Sequence, residues 1–344
     1  MTKDEKYVNF NLIMFDEKLE KRIKLALNFQ EADRVPICDF IDSPKVFRYF
    51  SHRKDITIEE KVKAYHGLGI DVCWQFERRR NYRHEGFLKR LQRFALRKPK
   101  MEVLSRNELN EELEDFAQQQ GLFAPHTYLA MSAEGILSVA YKTLGYEEFC
   151  KRMYVELIQI ERLIDIFAEN LYQRALLFAD ADLGPIFFIK DDIAYDKGLM
   201  FSKLFLEQQW LPRIQKSIEP LKQKGVKVIL HSRGNIIDIV DQLIDSGIDG
   251  IHPIDPLCRM DIGILKKTYA KNLILFGNID VAAFDTVQAI EEKTKKCIKN
   301  ASFDGGHFLG SVKGIGKSLN LQEVFAFFTS LKEYGKYNHP ENQV

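Results

Sequence analysis

Four times in succession, the second half of the chain repeats one unit: a short apolar run, a polar turn, and a stretch with apolar residues at helical spacing. Val226-Lys227-Val228-Ile229-Leu230 enters His231-Ser232-Arg233-Gly234-Asn235, and Ile236, Ile237, Val240, Leu243 and Ile244 follow before Ser246-Gly247 stops the helix. Residues 250–255, 273–278 and 306–310 open the next three units. A strand followed by a helix and another strand returns the chain to the same edge, so a run of such units predicts a parallel sheet. Upstream, residues 34–40, 69–76, 127–131 and 186–192 supply four further strand candidates, the last after a helical segment through residues 147–179. Eight parallel strands with helices between them predict an α/β fold, a TIM (β/α)8 barrel. A doubly wound sheet would want a glycine-rich turn after its first strand, and residues 34–43 contain no glycine.

At 344 residues the chain exceeds a minimal barrel, and the surplus falls in two places. Residues 1–30 read as an N-terminal helical extension, and residues 31–344 as one barrel domain with a charged insertion at about 77–125. That insertion opens on a basic stretch (Arg78, Arg79, Arg80, Arg83, Lys89, Arg90, Arg93, Arg97, Lys98, Lys100) and continues into an acidic one (Glu108, Glu111, Glu112, Glu114, Asp115). Two oppositely charged faces that solvate or pair with each other account for it; an electropositive rim for an anionic substrate tail or an acidic partner is the functional alternative.

Overall, 50 Lys and Arg stand against 49 Asp and Glu, a formal net charge of +1, which argues against a nucleic-acid or membrane-surface partner. No run of 18 apolar residues and no signal-peptide pattern occurs, so a cytoplasmic protein, monomer or homodimer, is expected. Five scattered cysteines without CxxC spacing fit reduced thiols.

In a TIM barrel the chemistry stands at the C-terminal ends of the strands. Here those ends carry Asp39, Glu77, Asp191, Asp192, His231, Arg233, Asp255, Asn278, Asp280 and Lys313. Each alone fits a cap or loop residue; their convergence on one face carries the functional reading. His231 closes a fully apolar strand, and the turn after it leads into a helix whose N-terminal N–H groups favour an anion. A buried histidine bonded to a backbone carbonyl is the competing account. Asp191 and Asp192, with Asp196 close by, are suited to Mg²⁺, to a substrate amine, or to orienting a histidine, and paired acids in a loop are the plain alternative.

Several segments together resemble one family: Arg34-Val35-Pro36, the run from Asp191-Asp192-Ile193-Ala194-Tyr195-Asp196 to Ser202, His231-Ser232-Arg233-Gly234-Asn235, Gly277-Asn278-Ile279-Asp280 and Gly314-Ile315-Gly316. In order and spacing they are similar to the uroporphyrinogen decarboxylase-like barrel superfamily, in particular its corrinoid-dependent methyltransferase branch. The resemblance implies a small methylated substrate and a corrinoid (cobalamin) carried by a partner protein. Catalytic roles fall on His231, Asp191, Asp192 and Lys313. Substrate contacts fall on Asp39, Glu77, Tyr195, Arg233, Asp255, Asn278 and Asp280.

Two departures shape that expectation. True decarboxylases of the superfamily carry arginines after the first strand, whereas this chain reads Asp39-Phe40-Ile41-Asp42-Ser43-Pro44, two carboxylates that would repel a polyanionic porphyrinogen. The zinc-dependent thiol methyltransferases use a His-x-Cys pair and a later cysteine before Gly-Ile, and the matching positions here are His231, Arg233 and Lys313. Zinc through cysteine pairs is therefore not expected, and zinc on His231 and His252 with a carboxylate is the reserve possibility. The expected reaction is transfer of a methyl group from a methoxyl or methylamine-type donor to the corrinoid protein, with His231, held by a neighbouring carboxylate, as general acid. Decarboxylation and a non-catalytic binding paralogue are the alternatives.

Overall fold

The structure, a computed structural model, describes residues 13–75, 102–284 and 286–337. The basic stretch and Glu77 lie outside the described residues. Eight strand positions form a ring: β1 (Cys38–Asp39), β2 (Val72–Cys73), β3 (Tyr128–Leu129, resuming as Met131–Glu134), β4 (Ile186–Lys190), β5 (Lys227–His231), β6 (Gly250–His252), β7 (Ile274–Ile279) and β8 (His307–Ser311). All neighbours pair in parallel, from β1 through β2 to the first part of β3 and from its second part through β4 to β8. A parallel bridge between Ile37 and Leu309, with Leu309 N–H donating to Pro36 O at 2.9 Å, joins β8 back to β1 and closes the barrel.

The helices follow from the same pattern. After β1 come α2 (Pro44–Ser51) and α3 (Ile58–Leu68), and before β3 comes α4 (Arg106–Phe123). The acidic segment of the sequence is therefore the helix of the second unit: Ser105 and Glu108 form a capping box at its start, and Leu109, Phe116 and Phe123 are buried. One of its acids, Glu112, receives Arg174 Nε at 2.8 Å. Between β3 and β4 the expected single helical segment is three helices, α5 (Ile136–Leu144), α6 (Tyr146–Val155) and α7 (Leu157–Asp180). After β4, a small hairpin (Ala194–Tyr195 with Gly198–Leu199) and a π turn (Leu206–Trp210) lead into α8 (Leu211–Gln223). The remaining units carry α9 (Val240–Asp245), α10 (Ile262–Tyr269), α11 (Val287–Ala301) and α12 (Leu321–Tyr334).

Strand alternation splits the core in two. Ile37, Met131, Phe187, Ile189, Val228, Leu230, Ile251, Leu275 and Leu309 pack outward beneath the helices. Cys38, Val72, Trp74, Ala130, Ile186, Phe188, Ile229, Ile274, Phe276 and Phe308 fill the barrel. Leu19, Ile23, Ala26 and Leu27 of α1 (Glu17–Leu27) belong to that inner group, so α1 plugs the floor of the barrel. Gly250 is obligatory there: a Cβ would lie 2.6 Å from Ile274 O and 2.9 Å from the Ile229 side chain. No helix among the described residues is long and apolar enough to cross a membrane.

Candidate active site at the barrel mouth

Parity decides which strand-end side chains reach the mouth. On β5, Ile229 faces in, so His231, two residues on, faces in at the top; on β4, Phe188 and therefore Lys190 do the same. The floor of the mouth is aromatic. Trp74 stacks on His231 with ring centroids 4.8 Å apart and packs on His252 at 4.6 Å; Phe188 meets His252 edge-on at 5.8 Å. His231 and His252 stand directly opposite in the β5–β6 register, with their Nδ1 atoms 2.6 Å apart. At that distance one nitrogen donates and the other accepts, so the pair shares a single proton.

Burial pushes the His231 imidazole down to about 4, although Asp192 pulls the other way, and it lowers His252 well below the ordinary histidine range. Both rings are neutral near pH 7. The expected carboxylate partner for His231 is thus replaced by a second histidine, and an imidazolium acid near neutral pH is replaced by a neutral ring N–H. The physical reason is the dry aromatic floor, which penalises the charged form more than Asp192 favours it.

Around this floor stand paired charges. Glu134 Oε1 accepts from Lys190 Nζ at 2.9 Å; burial alone would raise this carboxyl, but Lys190 and Lys142 hold it below its usual range. Asp192 accepts the Arg233 backbone N–H at 2.9 Å and its Nη2 at 3.0 Å, and Arg233 likewise outweighs burial and keeps Asp192 low. Lys313 donates to Asp280 at 2.6 Å, which raises the ammonium. Tyr195 is exposed on the hairpin, where its carbonyl accepts from Asn235 N–H at 2.8 Å. Trp74, Glu134, Lys190 and His252 complete the mouth; the sequence already sets His252 beside His231, and Lys190 follows from the inward parity of Phe188 two residues before it.

The other candidates go elsewhere. Asp191 falls on the outward parity of Ile189 and is fully buried, accepting Leu137 N–H (3.1 Å), Ser138 N–H (2.6 Å) and Trp210 Nε1–H (2.8 Å). It caps α5 from another strand, and only glycine fits at 135, because a Cβ there would meet the Asp191 side chain at 2.2 Å. Burial still lifts its carboxyl to about 6 against these donors. Asp39, outward like Ile37, accepts Ser311 N–H (3.0 Å) and Oγ–H (2.7 Å) and stitches β1 to β8; its carboxyl is likewise raised by burial to about 6. Asp255 caps a short turn through Leu257 N–H at 2.9 Å. The Arg233 N–H groups face Asp192, and a short 3₁₀ turn (Ile237–Ile239) precedes α9, so the anion-binding helix start expected after His231 does not form.

Two large cavities lie away from His231. One of about 530 Å³ sits beside Asn278 and Asp280 and is lined also by Arg259, Lys293, Lys296 and Cys297. The other, about 590 Å³, lies between α1 and the N-terminal strand ends, around Tyr128, Pro185 and Lys227, on the face opposite the chemistry. None of the five cysteines forms a disulfide. Zinc does not fit the positions that carry it in thiol methyltransferases, because Arg233 and Lys313 are cations held by Asp192 and Asp280. The Nδ1 atoms of His231 and His252 are also closer than the roughly 3.4 Å that two ligands at about 2.1 Å on a tetrahedral ion require. No cluster of three His, Cys, Asp or Glu residues suited to a metal occurs among the described residues.

Fold and site together define a closed (β/α)8 barrel with a strand-end site of histidines and paired charges. The uroporphyrinogen decarboxylase (URO-D) family model matches residues 113–334, and the chain belongs to that family. In fold it is similar to a methyltransferase from Methanosarcina mazei, at 17% identity over 92% of this chain and 98% of that one, with a TM-score of 0.70. It is more distantly similar to a B12-independent methionine synthase from Shewanella sp. W3-18-1, at 14% identity over 88% of this chain and 97% of that one, with a TM-score of 0.50. No curated protein sequence matches the chain.

Proposed function

We propose that this barrel moves a methyl group from a small methoxyl or methylamine-type donor to reduced corrinoid on a partner protein. Family membership fixes the fold and leaves the reaction open. The observation that carries the reading is His231, a neutral, half-buried imidazole over an aromatic floor at the chemical end of the barrel. In the transfer, the C–O or C–N bond breaks, the methyl carbon goes to the cobalt nucleophile, and the electron pair stays on the heteroatom. A hydrogen bond from a fixed ring N–H stabilises charge developing there, and a neutral imidazole is suited to that donor role. Lys313 supplies a fixed positive charge at the rim, and Asp192 with Arg233 frames the donor's polar end. Decarboxylation of a tetrapyrrole fits less well, since residues 39–44 carry no arginine and Lys313 stands where those enzymes carry histidine; Asp39, buried against Ser311, does not face the mouth and gives no repulsion there.

A second reading, a binding barrel without turnover, is favoured by one observation: Trp74 lies flat on His231, and neither large cavity is lined by that residue. One experiment separates the two. The protein is mixed with reduced corrinoid protein and a panel of methoxyarenes and methylamines while the cobalt spectrum is followed. Methylated corrinoid formed from any donor supports transfer; tight donor binding without it supports the binding barrel.

A further inference from the structure

We infer that His252 is a positioning residue: its Nδ1–H donates to His231 Nδ1, which locks His231 in the tautomer that carries its proton on Nε2, on the side open to the mouth. The pair is 2.6 Å apart and shares one proton, so only two arrangements exist. They differ in what is left at His252 Nε2. That atom is buried without a hydrogen-bond partner among the described residues, inside the group of Trp74, Phe188 and Phe276. If His231 were the donor, His252 would carry an N–H there with nothing to receive it; if His252 is the donor, only a bare lone pair is left. Orphaned buried N–H groups are the rarer and costlier of the two.

A second observation points the same way. Trp74 Nε1, which can only donate, is also buried without a partner among the described residues, on a ring 4.6 Å from that of His252, so an N–H at His252 Nε2 would leave a second orphaned donor in the same ring group. His231, the more exposed ring, takes the N–H that water or a substrate heteroatom satisfies. The consequence for methyl transfer rests on the reading above; the tautomer itself does not.

The test is long-range ¹H–¹⁵N correlation on histidine-labelled protein near pH 7, with His231→Gln used for assignment. The expected spectrum shows His231 with a pyridine-type Nδ1 and a pyrrole-type Nε2, and His252 with the reverse. A protonated Nδ1 on His231, or an imidazolium signal from either ring, overturns the inference. His252→Phe should move the His231 nitrogens to averaged shifts and lower kcat by about 10- to 100-fold with KM nearly unchanged. His252→Asn, whose amide nitrogen lies where Nδ1 was, should restore both. Fixed His231 shifts in His252→Phe, or Asn behaving like Phe, would also overturn it. Should His252→Phe not fold, the wild-type spectrum and His252→Asn still decide. Because the spectrum needs no substrate, an absence of methyl transfer with the expected tautomer present counts against the proposed function alone.

Discussion

The two ends of the barrel handle charge in opposite ways. At the floor, Asp71 is 3% exposed and takes Arg22 Nη1 at 2.7 Å, Arg34 Nη1 at 2.6 Å and the Ile37 N–H at 2.7 Å, tying α1 and the start of β1 together. At the mouth, each pair has one open partner: Arg233 is 73% exposed over Asp192, and Lys313 is 55% exposed over Asp280. A cluster centred on a buried carboxylate, with its arginines only 11% and 16% exposed, is suited to holding the fold and exchanges partners with a ligand less readily than pairs with one solvated member do. The difference fits stability at the floor and the proposed chemistry at the mouth, although the floor holds the larger of the two cavities described.

The sharpest way to break this contrast is at His231. His231→Ala should leave the chain folded and reduce methyl transfer by ~10²- to 10⁴-fold, measured as kcat with corrinoid protein and an accepted donor. Near-wild-type turnover would remove the chemical end from the mouth. Its counterpart is Asp71→Asn, which removes the buried charge between two part-buried guanidinium groups, one of which keeps Asp33, and should lose about 1–3 kcal/mol of unfolding free energy in a urea titration. Turnover per folded molecule should stay the same, and a comparable fall in kcat would mean the two ends are not separable.

Acid provides a graded test. His231 is depressed to about 4, and His307 as well: its Nε2–H donates to Gly277 O at 2.9 Å, its Nδ1 accepts from Ser302 Oγ at 2.8 Å, and burial dominates. Because the folded values lie below the unfolded one near 6.5, the unfolded chain binds the extra protons, so stability is full above that pH and falls as pH drops toward 4. Each histidine contributes on the order of 3 kcal/mol to this loss. His307→Gln, which keeps a donor for Gly277, should flatten the slope by one such share without changing turnover, whereas a slope unaltered by it would show that other groups govern the acid limb.

Asp191→Asn should cost about 1–3 kcal/mol, since one carboxylate oxygen that receives buried N–H groups becomes a donor facing them. If turnover falls without loss of stability, Asp191 is chemical after all. The smallest effects belong to the rim. Arg233→Ala should change stability by less than about 1 kcal/mol, as exposed ion pairs do. Asp192→Asn and Lys313→Ala should each lower turnover by less than His231→Ala does; equal losses would make the rim part of the reacting group.

The architecture was legible because it is written in short-range pattern. Units such as 226–247 show strand, turn and helix within about twenty residues, and the parallel sheet follows from their repetition. The place of His231 at a strand end was legible for the same reason, and that cations stand at 233 and 313 is read directly from the sequence.

What tertiary structure alone decided was direction and partnership. Asp39 and Asp191 sit at strand ends as the sequence indicates, yet a one-residue difference in parity turns them to the helix layer, where Ser311, Ser138 and Trp210 receive them. His231 meets His252 only because β5 and β6 pair in that register, a contact between strands 21 residues apart that no local signal specifies. Its neutrality was likewise invisible in sequence: it comes from Trp74 and the aromatic floor, brought to it from other strands, and desolvation is a property of that assembled surrounding.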